Sequence, residues 1–239
     1  MFLLFENATL ALLGTTAVVA ITHALLGIDH SLPFIALGRS RQWSLGYTIV
    51  VTTLCGIGHV ASSVAIGGVG SLLGANLDSL MWVESTRGVV AAILLIGFGL
   101  AYTAWAVRNT FRDETQSHVH THIDGTEYEN LSLYHGDHLR LQSPGASVTP
   151  WALFIVFLFG PCEPLIPLMI APAIAGSWML LVAVVVTFGV LTVLVMGLTV
   201  TIGYRLLDVV PRHRFRRMAD AVTGLLVAAS GVGVLFLGL

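Results

Sequence analysis

Three ionisable side chains lie within or directly after an apolar run long enough to enter a bilayer, and no other feature constrains this fold so strongly. The stretch His23-Ala-Leu-Leu-Gly-Ile-Asp29-His30-Ser-Leu-Pro33 closes an apolar segment that begins at Ala8. Ionisable groups at membrane depth are costly, so they face a protein interior or a polar cavity and mark functional sites. On a helix His23 and His30 would share a face two turns apart. Gly27 and Pro33 flank Asp29-His30 and predict a helix break that exposes backbone to a polar cavity. For any one of these residues the alternative is structural: a histidine hydrogen-bonded in a bundle, or an aspartate capping a short half-helix. Three within eight positions favour a site.

Composition identifies the surrounding medium. The chain has 239 residues, 56% hydrophobic and only 10% charged, with a mean hydropathy of +0.87. Soluble domains carry about 25% charged residues, so an integral membrane protein is expected. Net charge is −2 and all 11 basic residues are arginines, which gives no electrostatic basis for a nucleic-acid partner. The two cysteines, Cys55 and Cys162, lie in apolar stretches and do not suggest a disulfide framework. The first arginine is Arg39, so the N-terminus lacks the basic region of a cleaved signal and the first segment is expected to stay.

Six stretches have the roughly 20 apolar residues a spanning helix needs: 8–37, 45–73, 86–107, 150–175, 178–203 and 218–239. The connections at 38–44, 108–149 and 204–217 hold ten arginines, and Arg87, near an outer end, is the exception. The positive-inside rule makes those connections cytoplasmic and both termini external.

The halves resemble one another. Gly27-Ile-Asp29-His30-Ser-Leu-Pro33 aligns with Gly160-Pro-Cys162-Glu163-Pro-Leu-Ile-Pro167 at an offset of 133 residues. The same offset sets Cys55-Gly56 against Phe188-Gly189, and an offset of 134 sets Gly97-Phe-Gly99 against Gly231-Val-Gly233. Repeats of three spans each must be inverted in the membrane, and broken helices meeting near the midplane point to a transporter binding site. The expected architecture is an all-α membrane protein of two inverted three-helix repeats, 1–107 and 150–239, with broken first and fourth helices and a loop at 108–149.

Several constellations could carry chemistry. In the fourth span, three prolines spaced three apart forbid a regular helix around Cys162 and Glu163. Cys162 is a potential soft ligand or merely a small apolar residue; Glu163 mirrors the Asp29-His30 pair. In the second span His59, Ser62 and Ser63 share a helical face, and the glycines around them allow close helix approach. Imidazole, carboxylate and thiolate together suit nickel, cobalt or zinc better than magnesium or calcium. The expected intramembrane metal set is His23, Asp29, His30 and His59 with Cys162 and Glu163. In the long connection, Asp124-Gly125 predicts a hairpin turn. Strand alternation then sets His118, His120 and His122 on one side, followed by His135 and His138, a cytoplasmic surface suited to collecting metal. Pro211–Arg217 reads as a headgroup anchor.

His23-Ala-Leu-Leu-Gly-Ile-Asp29-His30, with Gly58-His59 and Gly160-Pro-Cys-Glu163, resembles the nickel/cobalt transporter and resistance family. The five residues between His23 and Asp29 are similar to its urease-accessory (UreH-like) and sulfite-exporter branch, within the LysE-type transporter superfamily. The resemblance implies a six-span transporter of the bacterial inner membrane whose substrate is a divalent transition-metal ion. It implies metal contact by His23, Asp29 and His30, with His59 a further candidate. No tightly bound cofactor and no enzymatic activity are expected; the lipid bilayer is the implied partner, with homo-oligomerisation left open. The histidine loop favours export over uptake. Two other functions compete. A thiol-redox carrier needs two cysteines brought together, whereas the repeat position of Cys162 is Asp29. A sulfur-oxyanion exporter needs an arginine or an open helix N-terminus at mid-membrane, and no arginine is expected there.

Overall fold

A computed structural model of the chain describes residues 2–72, 76–114, 145–160, 162, 164–207 and 219–237. Among the described residues all regular structure is helical: α1 (Phe2–Leu26), α2 (Leu32–Ser40), α3 (Leu45–Leu72), α4 (Leu77–Glu114), α5 (Gly145–Phe159), α6 (Leu165–Ile174), α7 (Trp178–Leu206) and α8 (Ala219–Leu237), with a 3₁₀ turn at Ile28–His30. Four helices contain stretches long and apolar enough to cross a membrane, Asn7–Leu26, Leu45–Gly70, Leu77–Asn109 and Trp178–Leu206, while α5, α6 and α8 are apolar but shorter.

The helix surfaces fit such a medium. On α7, Val184, Phe188, Thr192, Met196, Val200 and Tyr204 recur every four residues and are buried. Val182, Val186, Val190, Leu194, Leu198 and Ile202 recur at the same interval on its other side and are more than half exposed. An apolar stripe on the outside as well as the inside is the pattern of a helix set in lipid.

Both expected breaks are present. Gly27 leaves the helix with extended backbone (φ −69°, ψ 91°), and the chain turns through Ile28–His30, with His30 N–H donating to Gly27 O at 3.0 Å. Pro33 then falls in the first turn of α2, where a missing N–H costs nothing. In the second half, the chain between α5 and α6 departs from helix after Phe159. At the end of α2, Trp43 N–H bonds Gly38 O and Gln42 N–H bonds Arg39 O, the two reversed bonds of a Schellman ending. Gln42 takes the left-handed position this ending requires, with φ 56°.

The third span differs from expectation. Its helix begins at Leu77, nine residues before the expected start, and the stretch apolar enough to cross a membrane runs Leu77–Asn109, so both Glu84 and Arg87 lie within it. The pair can do so because the two charges neutralise each other three residues apart.

The most extensive packing joins α4 to α8; α7 packs on α1 and α3, α5 on α3, and α2 on α8. The α4–α8 contact is backbone against backbone. A Cβ at Gly224 would lie 2.6 Å from Gly99 O and 2.7 Å from Thr103 N, and one at Gly231 would lie 2.8 Å from Ala92 O. The arginine-bearing ends of α2, α4 and α7 gather together: Arg39 donates to Leu207 O at 3.0 Å, Arg41 stacks on Tyr102 and Trp105, and Tyr204 donates to Trp43 O.

Gly224→Val is expected to lower the thermal midpoint of the purified protein by an amount equivalent to about 1–3 kcal/mol, the usual range for overpacking. Gly14→Ala, where nothing lies within 4 Å of the new methyl, serves as a control and should be neutral or slightly stabilising. Equal midpoints for Gly224→Val and the native protein would contradict the close α4–α8 contact.

Candidate metal centre

Three imidazoles meet where the first break abuts α3. His23 comes from the last turn of α1, His30 from the 3₁₀ turn, and His59 from the middle of α3. One ring nitrogen from each lies within 4.8 Å of the others. His30 Nε2 and His59 Nε2 are 3.4 Å apart. Two nitrogens bound to one tetrahedral ion at about 2.0–2.1 Å are themselves about 3.4 Å apart, so this pair is already spaced as ligands of a single ion. The His30 ring stands edge-on to His23 at 4.7 Å and to His59 at 5.0 Å.

The break produces this convergence. Seven positions along an uninterrupted helix separate two residues by about 10.5 Å, whereas the turn after Gly27 folds His30 back beside His23. Gly27 also has to be a glycine: a Cβ there would run into the His30 ring and lie 3.0 Å from His23 O.

Asp29 stands behind His30 rather than among the three nitrogens. Its Oδ1 is 3.0 Å from His30 Nδ1, which aims Nε2 at the site and fixes its tautomer, as carboxylates behind metal-binding histidines do. Phe157 packs edge-on against His30 and His59, and Phe188 lies beside His23. His59 Nδ1 is buried without a hydrogen bond of normal geometry. A cavity of about 10 Å³, lined by Asp29, His59, Phe157 and Gly160 among others, has room for one water-sized species.

Cys162 joins this neighbourhood from the second half. It is fully buried, and its Sγ is 4.0 Å from His23 Nε2. Glu163, the loop histidines His118, His120, His122, His135 and His138, the Asp124-Gly125 turn and the Pro211–Arg217 cluster all lie outside the described residues. Cys55 and Cys162 are both free and belong to separate apolar clusters.

Beside the imidazoles lies a polar cluster that inspection of the sequence misses. Glu84 is 0% exposed. Arg87 Nη1 donates to Glu84 Oε1 at 2.6 Å and Ser63 Oγ at 3.2 Å; Nη2 donates to Ser62 Oγ, Leu158 O and Gly160 O at 2.7, 2.8 and 3.1 Å. Ser62 and Ser63 thus serve Arg87, although they share a helical stripe with His59. Arg87 stands beside the candidate centre, but these five acceptors saturate its terminal nitrogens and leave it poorly suited to hold a substrate anion. The available signal was the three-residue spacing of Glu84 and Arg87 within apolar sequence, opposite Ser62-Ser63.

Compared with protein-family models, curated proteins and solved structures, the chain matches none, so the centre stands on its own geometry.

Removing the carboxylate behind His30 should weaken metal binding without removing a ligand. Asp29→Ala is expected to lower cobalt affinity by about 10–100-fold, measured by equilibrium dialysis of the purified protein. Unchanged affinity would remove Asp29 from the orienting role.

Proposed function

We propose that this chain is a transporter of divalent transition-metal ions of the nickel, cobalt and zinc class, and that the ion is substrate rather than resident cofactor. The observation that carries this reading is the convergence of His23, His30 and His59 on one buried point, with Asp29 orienting His30. Imidazole nitrogens favour borderline transition metals over magnesium or calcium. Cys162, beside His23, would supply a soft fourth ligand, and Glu163 remains a candidate on sequence grounds. The resemblance to the nickel/cobalt transporter and resistance family, in its UreH-like and sulfite-exporter branch, rests on the same His23–His30, Gly58-His59 and Gly160–Glu163 residues.

Transport requires that the site open to each side in turn, and inverted repeats would supply the mechanism. The helix packing supports such repeats. Exchanging α1–α2 with α5–α6, α3 with α7, and α4 with α8 carries the α1–α7 contact onto α5–α3 and the α2–α7 contact onto α6–α3, while α3–α7 and α4–α8 map onto themselves. Thr192 stands 133 positions after His59, fully buried on α7 with no hydrogen-bond partner for its hydroxyl. In this reading α1–α2 and α5–α6 are broken spans, giving six in all, with both termini outside a bacterial inner membrane. The arginine-bearing helix ends face the cytoplasm. A ligating imidazole must be neutral, so proton entry would favour ion release. The histidine-containing connection at 108–149 would gather ions on the cytoplasmic side, which favours export.

The purified protein should retain nickel, cobalt or zinc by elemental analysis, and a His23/His30/His59 triple-alanine variant should retain about one ion per chain fewer. Equal, negligible metal in both would overturn the reading. Cells expressing the native chain should tolerate the transported metal better than cells expressing the variant; greater sensitivity would reverse the proposed direction.

A further inference from the structure

Glu84 and Arg87 contribute nothing to the three-imidazole cluster, yet both are bonded to main chain at the break between α5 and α6. In an unbroken α-helix each N–H donates to the carbonyl four residues earlier. Leu158 O would then receive the Cys162 N–H. Gly160 O would turn to residue 164, which is a proline with nothing to donate. Here instead Arg87 Nη2 donates to Leu158 O at 2.8 Å and Gly160 O at 3.1 Å, and the Cys162 N–H donates to Glu84 Oε2 at 3.2 Å. The guanidinium takes the place of two helical donors, one diverted and one absent. The carboxylate takes the place of the acceptor that the diverted N–H has lost. Charge sign agrees with this division, since carbonyls at a helix C-terminus attract a cation.

We propose that Glu84 and Arg87 are positioning residues that stand in for the helix's own hydrogen bonds across the α5–α6 break and thereby hold the Cys162 thiol beside His23. Ser62 and Ser63 of α3 fix the guanidinium from the far side, so three helices set the position of one backbone amide. The amide belongs to the residue whose Sγ is 4.0 Å from His23 Nε2. The holding role stands independently of any metal; only its consequence for a metal–thiolate bond rests on the function proposed above.

The test uses the full chain in detergent with Cys55→Ser, which leaves Cys162 as the only cysteine of the two. Alkylation by N-ethylmaleimide is followed by mass spectrometry. Glu84→Ala and Arg87→Ala should each accelerate alkylation of Cys162 about tenfold or more, the effect of losing one or more buried hydrogen bonds on local opening. Glu84→Gln keeps an oxygen that can accept the Cys162 N–H and should retain most of the protection. In a parallel Cys162→Ser background, Cys55 should react at its native rate in all these variants. An unchanged Cys162 rate in both alanine variants overturns the proposal, as does an equal acceleration at Cys55, which would mark general loosening. A second arm adds cobalt and follows the near-ultraviolet thiolate-to-cobalt band. The native chain should show the band, and Glu84→Ala should lose it while imidazole-bound cobalt remains. A native chain that binds cobalt without the band, or a Glu84→Ala variant that keeps it, would overturn the thiol placement. A native chain that binds no cobalt would overturn the metal reading, leaving the alkylation rates to decide the positioning role.

Discussion

A helix broken inside an apolar layer releases backbone donors and acceptors that water cannot reach, and the arrangement of this protein follows from how those groups are paired. Each buried polar group left without a partner costs about 1–3 kcal/mol. Gly160 and Cys162 are buried, and Gly160 O and Cys162 N–H together represent about 2–6 kcal/mol, a large share of the 5–15 kcal/mol by which a folded chain is ordinarily stable. The second break is therefore tolerable only because an ion pair on α4 reaches it. The first is tolerated by a different device: the 3₁₀ turn closes Gly27 O with His30 N–H and Pro33 enters α2 where no donor is needed.

The two solutions lead to the same place. Turning the chain after Gly27 brings His30 back onto His23 and against His59. Bonding Cys162 to Glu84 brings a thiol from the other half up to His23. A centre with imidazoles from α1, the turn and α3, approached by sulfur from beyond α5, could not form on unbroken helices, whose side chains would be spread along the axis. Asp29 completes the logic by holding one ring in the tautomer that points inward. The charged pair beside it escapes the usual penalty for buried ions because its bonds are nearly all made: Glu84 bonds Arg87, Ser63 and Cys162, and Arg87 bonds two hydroxyls and two carbonyls besides.

Apolar side chains lie both inside and outside this molecule, so hydrophobicity does not distinguish core from surface as it does in a soluble domain. On α7 the exposed positions are at least as apolar as the buried ones, and what separates them is packing: Phe188 meets His23 and the Cys162 cluster, while Val186 and Val190 project outward. Polar residues carry more information. His30, His59, Ser63, Glu84 and Thr192 are all buried, and each lies on the inner side of its helix or turn.

Sequence alone determined the apolar helical character, because few charges in long hydrophobic runs leave no other economical way to pair the backbone. It also located both breaks, since Gly27 with Pro33 and the proline series after Gly160 act locally on φ and on donor supply. His23, His30 and His59 stood out because an ionisable side chain within or beside a long apolar run is costly. Tertiary structure decided the rest. Asp29 lies behind His30 instead of among the nitrogens because the turn geometry sends it there. Glu84 and Arg87 lie within the third helix with partners on α3 and around the end of α5, and a linear reading cannot see partners 20 to 80 residues away. Local rules set where helices stop, whereas only the three-dimensional packing sets which group fills the place of a missing hydrogen bond.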